Sequence, residues 1–250
     1  MRKIHLTVLI CALRLSPSAA FAQDGARAIV EKAIRAQGGE SKLAKLKTMR
    51  IKVEGRTDLV PGQPNLPFTI EDTWQMPNQY KTSSTLEVQG RRFTQTQVII
   101  GDKGWIQSDG QAQDLPKEAV TEIREQKYAE DLDRFAFLKE KGIEISVLDE
   151  IKVDEMPAVG VLVKSKGHRD VKLYFDKTSG LLVKRDQRVL DPSSGKEVRQ
   201  EVIFSDYQEK DGLKQYKKII ALRDGKKVID SKVTEVEFFE KLDAKVFAKP

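Results

Sequence analysis

The chain has 250 residues, a formal charge of +6 and a single cysteine, with 33% charged against 39% hydrophobic side chains. That length and apolar content support one sizeable core, and the lone cysteine excludes a disulfide framework and a cysteine-rich zinc site. Lysine and arginine are interspersed with acids instead of forming blocks, which reads as solvated faces and excludes a nucleic-acid footprint.

Arg2 and Lys3 precede an apolar run from Ile4 to about Leu15, and Ala20-Phe21-Ala22 places small residues at both cleavage-directing positions. Residues 1–22 are therefore predicted to be a secretory signal peptide, cut after Ala22. The run is shorter than the roughly 20 apolar residues a membrane span needs, so the mature chain is expected to be soluble. Cys11 follows bulky Leu9 and Ile10, unlike the small residues ahead of a lipid-attached cysteine, so no lipid anchor is expected. Arg2, Lys3 and Arg14 leave with the signal and no acid does, so the formal charge falls to about +3. A secreted chain without cysteine fits the periplasm, where folding need not rely on disulfides.

Along the mature chain, residues 24–37 read as a helix through the spacing of Ala28, Ile29, Ala33 and Ile34, ended by Gly38-Gly39. A short second helical piece is expected over residues 40–46. From Met49 the period becomes two: Met49, Ile51 and Val53 alternate with Arg50, Lys52 and Glu54, as in a strand with one buried and one wet face. A loop with Pro61, Gly62, Pro64 and Pro67 leads to a second strand carrying Phe68, Ile70, Trp74 and Met76. Residues 80–88 and 91–100 read as two further strands. Gly101 to Ile106 reads as a tight turn leading into a short strand that carries Trp105.

Residues 116–141 lack glycine and are rich in helix formers, so they read as a helical insertion of two pieces bending near residues 127–131. The β period then returns through Ile143, Ile145 and Val147, and through Val159, Val161 and Val163. The clearest hairpin of the chain follows, Leu173 to Arg185, with Leu173 and Phe175 on the inner parity and Lys172, Tyr174 and Lys184 towards solvent. Strands over 198–207, 213–222 and 226–239 complete about ten or eleven. So long a sheet must curl, because strand twist accumulates. The predicted class is mainly β with helices (α+β), a curved antiparallel sheet whose helices pack across its concave side.

The order of Trp74, Pro77-Asn78 and Tyr80-Lys81, the Gly101 to Ile106 turn, the FDKTSGLLVKR hairpin, Phe204 to Tyr207 followed by Asp211-Gly212-Leu213, and the final Leu242 to Phe247 and Pro250 resemble the periplasmic LolA-like family. That family includes outer-membrane lipoprotein carriers and lipoprotein-sorting proteins. The resemblance implies an unclosed antiparallel half-barrel over residues 23–250, with residues 116–141 as a helical lid over an apolar cavity for acyl chains. Two features depart from the pattern. Relatives often have a proline after the Asp-Gly strand start, where this chain has Gln215-Tyr216, and no residue aligns with the lid-contacting arginine that carriers hold on an early strand.

On that reading the cavity candidates are Ile51, Val53, Phe68, Ile70, Trp74, Trp105, Leu173 and Phe175, with Val120, Ile123, Leu132 and Phe135 on the lid. Acyl chains need only dry apolar surface, worth roughly 0.8 kcal/mol per buried CH₂, so the same residues read equally as the filling of a core. Once the signal is removed, His168 is the only histidine, in a polar turn without a GxSxG or HExxH pattern. The acids lack EF-hand spacing. The expectation is therefore a monomeric, non-enzymatic carrier or binding protein without cofactor or metal. Its partners would be a lipid or lipoprotein acyl chains and an envelope membrane protein or lipoprotein acceptor. An envelope sensor or interaction module on the same fold is the alternative, and a hydrolase the third reading.

Overall fold

The computed structural model describes residues 18–43, 47–134, 141–191 and 194–250, with side chains from Gly25 onward. Helix α1, Ser18–Gln37, starts upstream of the expected residue 24, because the small helix formers Ala19, Ala20 and Ala22 extend the pattern. Its buried stripe is Ala26, Val30, Ala33 and Ile34, so Ala28, expected inside, is exposed. Gly38 and Gly39 take positive φ and end the helix, and a single turn follows as α2, Glu40–Leu43. Most of the expected signal peptide, residues 1–17, lies outside the described residues.

Six strands form an antiparallel meander: β1 Thr48–Thr57, β2 Leu66–Gln75, β3 Gln79–Val88, β4 Arg91–Ile100, β5 Lys103–Ser108 and β6 Gln111–Asp114. Helix α3, Lys117–Leu132, follows. It runs unbroken through residues 127–131, where a bend was expected. Val120, Ala129 and Leu132 are buried, while Lys127 turns to Asp72 and Asp131 to the Tyr80 hydroxyl on the sheet, so one continuous helix satisfies both sets. The second half comprises β7 Ile143–Val153, β8 Met156–Ser165, β9 Val171–Asp176, β10 Leu182–Asp191, β11 Lys196–Ser205, β12 Gln208–Lys210, β13 Leu213–Gln215, β14 Lys218–Arg223 and β15 Lys226–Phe238.

Thirteen of these strands share one sheet, in the order β6-β5-β4-β3-β2-β1-β15-β14-β11-β10-β9-β8-β7, and β12 and β13 form a separate ribbon. The count exceeds the ten or eleven expected, chiefly because the short β6, β12 and β13 carry too few residues to show a period. Two meanders meet at β1 and β15, which pair antiparallel from Met49–Phe238 to Thr57–Ile229. Gly55 sits in that seam because a Cβ there would lie 2.4 Å from the Asp230 carbonyl oxygen. The strands at the two ends of the sheet are β6 and β7, and α3 is the segment that connects them. The segment that joins the two edges therefore has to cross the concave side, where α3 lies against β5 and β10.

The core has two main parts. α1 packs against the concave side near β7 and β8, closing over Val161, Val163, Val171, Leu173, Phe175 and Leu182. The other part collects Met49, Val53, Phe68, Trp74, Tyr80 and Ile99, with Val120 of α3 seated over Gly104. A third, small cluster lies on the convex side and corrects the expected exposure of Tyr174. Its ring is buried with Val153, Ala158 and Val183, lying flat over Gly160, where a Cβ would come within 2.7 Å of it. Lys184 is largely covered too and pairs with Glu201. A sheet this strongly curled carries apolar residues on both faces, which strict alternation does not anticipate.

Candidate functional site

The inward positions follow from register. Met49, Trp74, Tyr80, Ile99 and Gly104 occupy one row across β1 to β5, and Gly55, Phe68, Leu86 and Phe93 another. Between the walls β2 and β10 the concave face borders a partly open cavity of about 220 Å³, space for roughly seven waters at about 30 Å³ each. Ile51, Val53, Phe68, Ile70, Val202 and Ile229 contribute to its apolar surface, while Glu130, Asp133 and Arg134 at the end of α3 and Gln37 at the end of α1 add polar groups.

α3 is held over this cavity by charged contacts along its length. Near its start, Glu122 accepts hydrogen bonds from Arg169 Nη1 at 2.7 Å and from the Leu190 backbone N–H at 2.9 Å. Glu125 accepts from the Arg169 backbone N–H at 3.0 Å and lies 2.8 Å from His168 Nδ1. The His168 ring stacks on Tyr128 with centroids 3.7 Å apart, so the histidine is part of the helix anchorage and not a free turn residue.

The far end of α3 is tied to both walls. Lys127 reaches Asp72 of β2 at 3.5 Å and Glu130 at 2.9 Å. Burial alone would lower the Lys127 pKa, but Asp72 and Glu130 outweigh it and raise it. Tyr80 donates to Asp131 at 2.9 Å, and burial with that carboxylate holds the phenol well above its ordinary range. Arg134 lies 4.4 Å over the Trp74 ring and 3.1 Å from Asp131. On the opposite wall Arg185 of β10 pairs with Asp133, donates to the Ala129 carbonyl at 3.4 Å and lies 5.8 Å over Phe204. Burial pushes the Asp133 carboxyl up to about 7, against the pull of Arg185. Arg185 on a late strand and Arg169 in the turn before β9 thus both reach this helix.

Of the residues singled out in the sequence, Ile51, Val53, Phe68, Ile70 and Trp74 line the cavity. Leu173 and Phe175 share the concave face but are packed solid beneath α1. Trp105 pairs with Val98 and Asp114, one step out of phase with the α3-facing Gly104, and so stands on the convex face. Val120 and Ile123 pack with the β1–β5 cluster and Leu132 with the α1 cluster, and Phe135 lies outside the described residues. Sequence reading did not single out Arg185, Arg134 or Gln37, and it took Asp133 for a solvated acid, whereas Asp133 is buried. Strict alternation from the inward Leu182 places Arg185 outward, and only the register shift between Leu182 and Lys184 turns it to the concave side opposite Leu173.

An open antiparallel half-barrel with a helix across its concave face defines the class of fold. Solved structures with the same arrangement include a LolA superfamily protein from Nitrosomonas europaea, with TM-score 0.57 and 12% identity, covering 90% of this chain and 97% of that one. They also include a putative outer membrane lipoprotein-sorting protein domain from Vibrio parahaemolyticus, with TM-score 0.55 and 9% identity, covering 91% and 97%. The chain has the LolA-like fold, a likeness of structure. No family model matches the sequence, and no curated protein matches it significantly.

Proposed function

We propose that this protein is a non-enzymatic periplasmic carrier or binding protein for a lipid or for the acyl chains of a lipoprotein, made with a signal peptide over residues 1–22 and used as a single half-barrel domain over residues 23–250. The observation that carries this reading is the cavity itself: apolar strands on the concave face leave about 220 Å³ beneath α3 instead of closing on one another. The names of the similar structures, a LolA superfamily protein and a lipoprotein-sorting domain, support it at the level of fold. Acyl chains gain roughly 0.8 kcal/mol per buried CH₂ on such a surface, and no reacting group is needed. Residues 116–141 act as the lid. Opening it exposes the cavity, and a lipoprotein acceptor or envelope membrane protein that prefers the open form takes the load.

Extraction of the purified protein with organic solvent, followed by mass spectrometry, is expected to yield a co-purifying lipid, and a fluorescent acyl probe is expected to bind. Replacing Ile70 with Trp fills the cavity and should lower probe capacity while the fold is retained. No extracted lipid together with no probe binding would overturn the proposal.

A further inference from the structure

We infer that the rim of the half-barrel at the tip of the β3–β4 hairpin docks on an anionic phospholipid bilayer, through Phe93 and the basic residues beside it. The inference extends the acyl-carrier reading and rests on it for the cargo alone. Phe93 stands on the inward parity of β4, in the row of Gly55, Phe68 and Leu86. A large apolar side chain on a concave face is normally covered, yet Phe93 is 48% exposed. Phe68 in the same row lines the cavity, so apolar surface runs from the cavity through half-buried Leu86 to solvent. The adjoining row, Val53, Ile70, Ser84, Gln95 and Ser108, is also uncharged. In a chain with 33% charged side chains, this concave path from rim to cavity lets an apolar tail pass without displacing the water of any ion.

The rim itself is basic. Arg91 and Arg92 precede Phe93 and are exposed, and at the same end of the sheet Lys226 stands opposite Arg223 across β14 and β15. Acids are present there too, and most are engaged. Asp58 accepts from the Asn65 backbone N–H at 2.6 Å and Asp224 from that of Arg199 at 3.0 Å, while Asp230 pairs with Lys218 and Lys227. Glu87 faces Arg92 across the hairpin, and Asp109 lies in the next turn. Arg91 and Lys226 are left for an anionic partner. An exposed ring flanked by arginines suits a bilayer surface, where the ring enters the acyl boundary and the guanidinium groups meet phosphates. Leu59, 37% exposed in the neighbouring β1–β2 loop, adds a second apolar contact at the same end.

Flotation with vesicles of equal parts phosphatidylcholine and phosphatidylglycerol, against vesicles of phosphatidylcholine alone, tests this. The anionic vesicles are expected to bind the protein about tenfold more tightly or better, and added salt to weaken the binding. Phe93→Ser, and the double variant Arg91→Gln with Arg92→Gln, change exposed residues outside the cavity. Each should cut vesicle binding several-fold and leave the affinity for a fluorescent acyl probe in solution unchanged. Lys172→Gln with Arg188→Gln removes the same charge from the outer face of β9 and β10 and should have little effect. Absence of vesicle binding, or binding that the rim variants leave intact, would overturn the docking surface. So would an equal loss in the Lys172 and Arg188 variant, which would mean attraction by overall charge. A dimer in analytical ultracentrifugation that Phe93→Ser dissolves would overturn it as well, with a second copy on the rim. Rim-dependent vesicle binding by a protein that binds no acyl probe would overturn the carrier reading and leave the docking surface standing.

Discussion

Asp133 is enclosed by protein, with Glu130 in the last turn of α3, Arg134 next to it in the chain, Arg185 on β10 and the phenols of Tyr207 and Tyr216 nearby. Its carboxyl is pushed up to about 7, above the roughly 3.9 of an unfolded aspartate. Between those values the folded state holds a proton that the unfolded chain has lost, so this group's contribution to stability falls as pH rises from about 4 to about 7. At about 1.4 kcal/mol per pH unit the swing is on the order of a few kcal/mol. Urea unfolding at pH 4.5 and pH 7.5 should show the native protein losing stability relative to Asp133→Asn at the higher pH, and an unchanged difference would refute the assignment. Residues such as this escape sequence reading because an aspartate near a helix end normally faces water. Its burial depends on where β10, far along the chain, delivers Arg185.

At the scale of elements, α3 is held by side chains more than by its own pattern. The apolar positions Val120, Ile123, Leu132, Phe135 and Phe137 do not share one register in the sequence, a pattern that predicts a bend. The helix stays continuous because charged residues between them find partners on β2, β3 and β10 and on the turn that holds His168 and Arg169. Replacing both Glu122 and Glu125 by alanine removes the anchors of the first half. The expected outcome is faster amide hydrogen exchange over residues 117–132, by an order of magnitude or more, with the protection of β1 and β15 unchanged. Uniform loss of protection across the sheet would show that these contacts hold the whole fold and not the helix alone. The Leu173 to Arg185 hairpin was, by contrast, legible in the sequence in its turn and its inward parity, though not in the burial of Tyr174 and Lys184 on its outer face. Gly180 takes positive φ in the turn, Asp176 accepts from the Ser179 backbone N–H at 2.6 Å, and Leu173 and Phe175 point inward as their parity requires.

At the scale of the molecule, two meanders share one continuous sheet through the β1–β15 seam, and α3 lies in the connection between its two edge strands. That arrangement predicts a single cooperative unfolding transition. Trp74 and Trp105 both lie in the first meander, so tryptophan fluorescence reports that half, while far-UV circular dichroism reports the whole. The two curves should coincide in urea, and separated midpoints would mean that the seam does not couple the halves. The sequence by itself determined the mainly β class, most of the hairpins, the single helical interruption and the inward parity of Ile51, Val53, Phe68, Ile70 and Trp74, because strand period and turn chemistry are local properties. Only the tertiary structure decided that Leu173 and Phe175 are sealed under α1 while Phe68 and Ile70 border open space, and that Asp133, Arg185, Trp74 and Gln37 meet at one cavity. Those outcomes depend on the curl of the sheet and on which helix covers which strands, distances between residues far apart in the chain that no local pattern encodes.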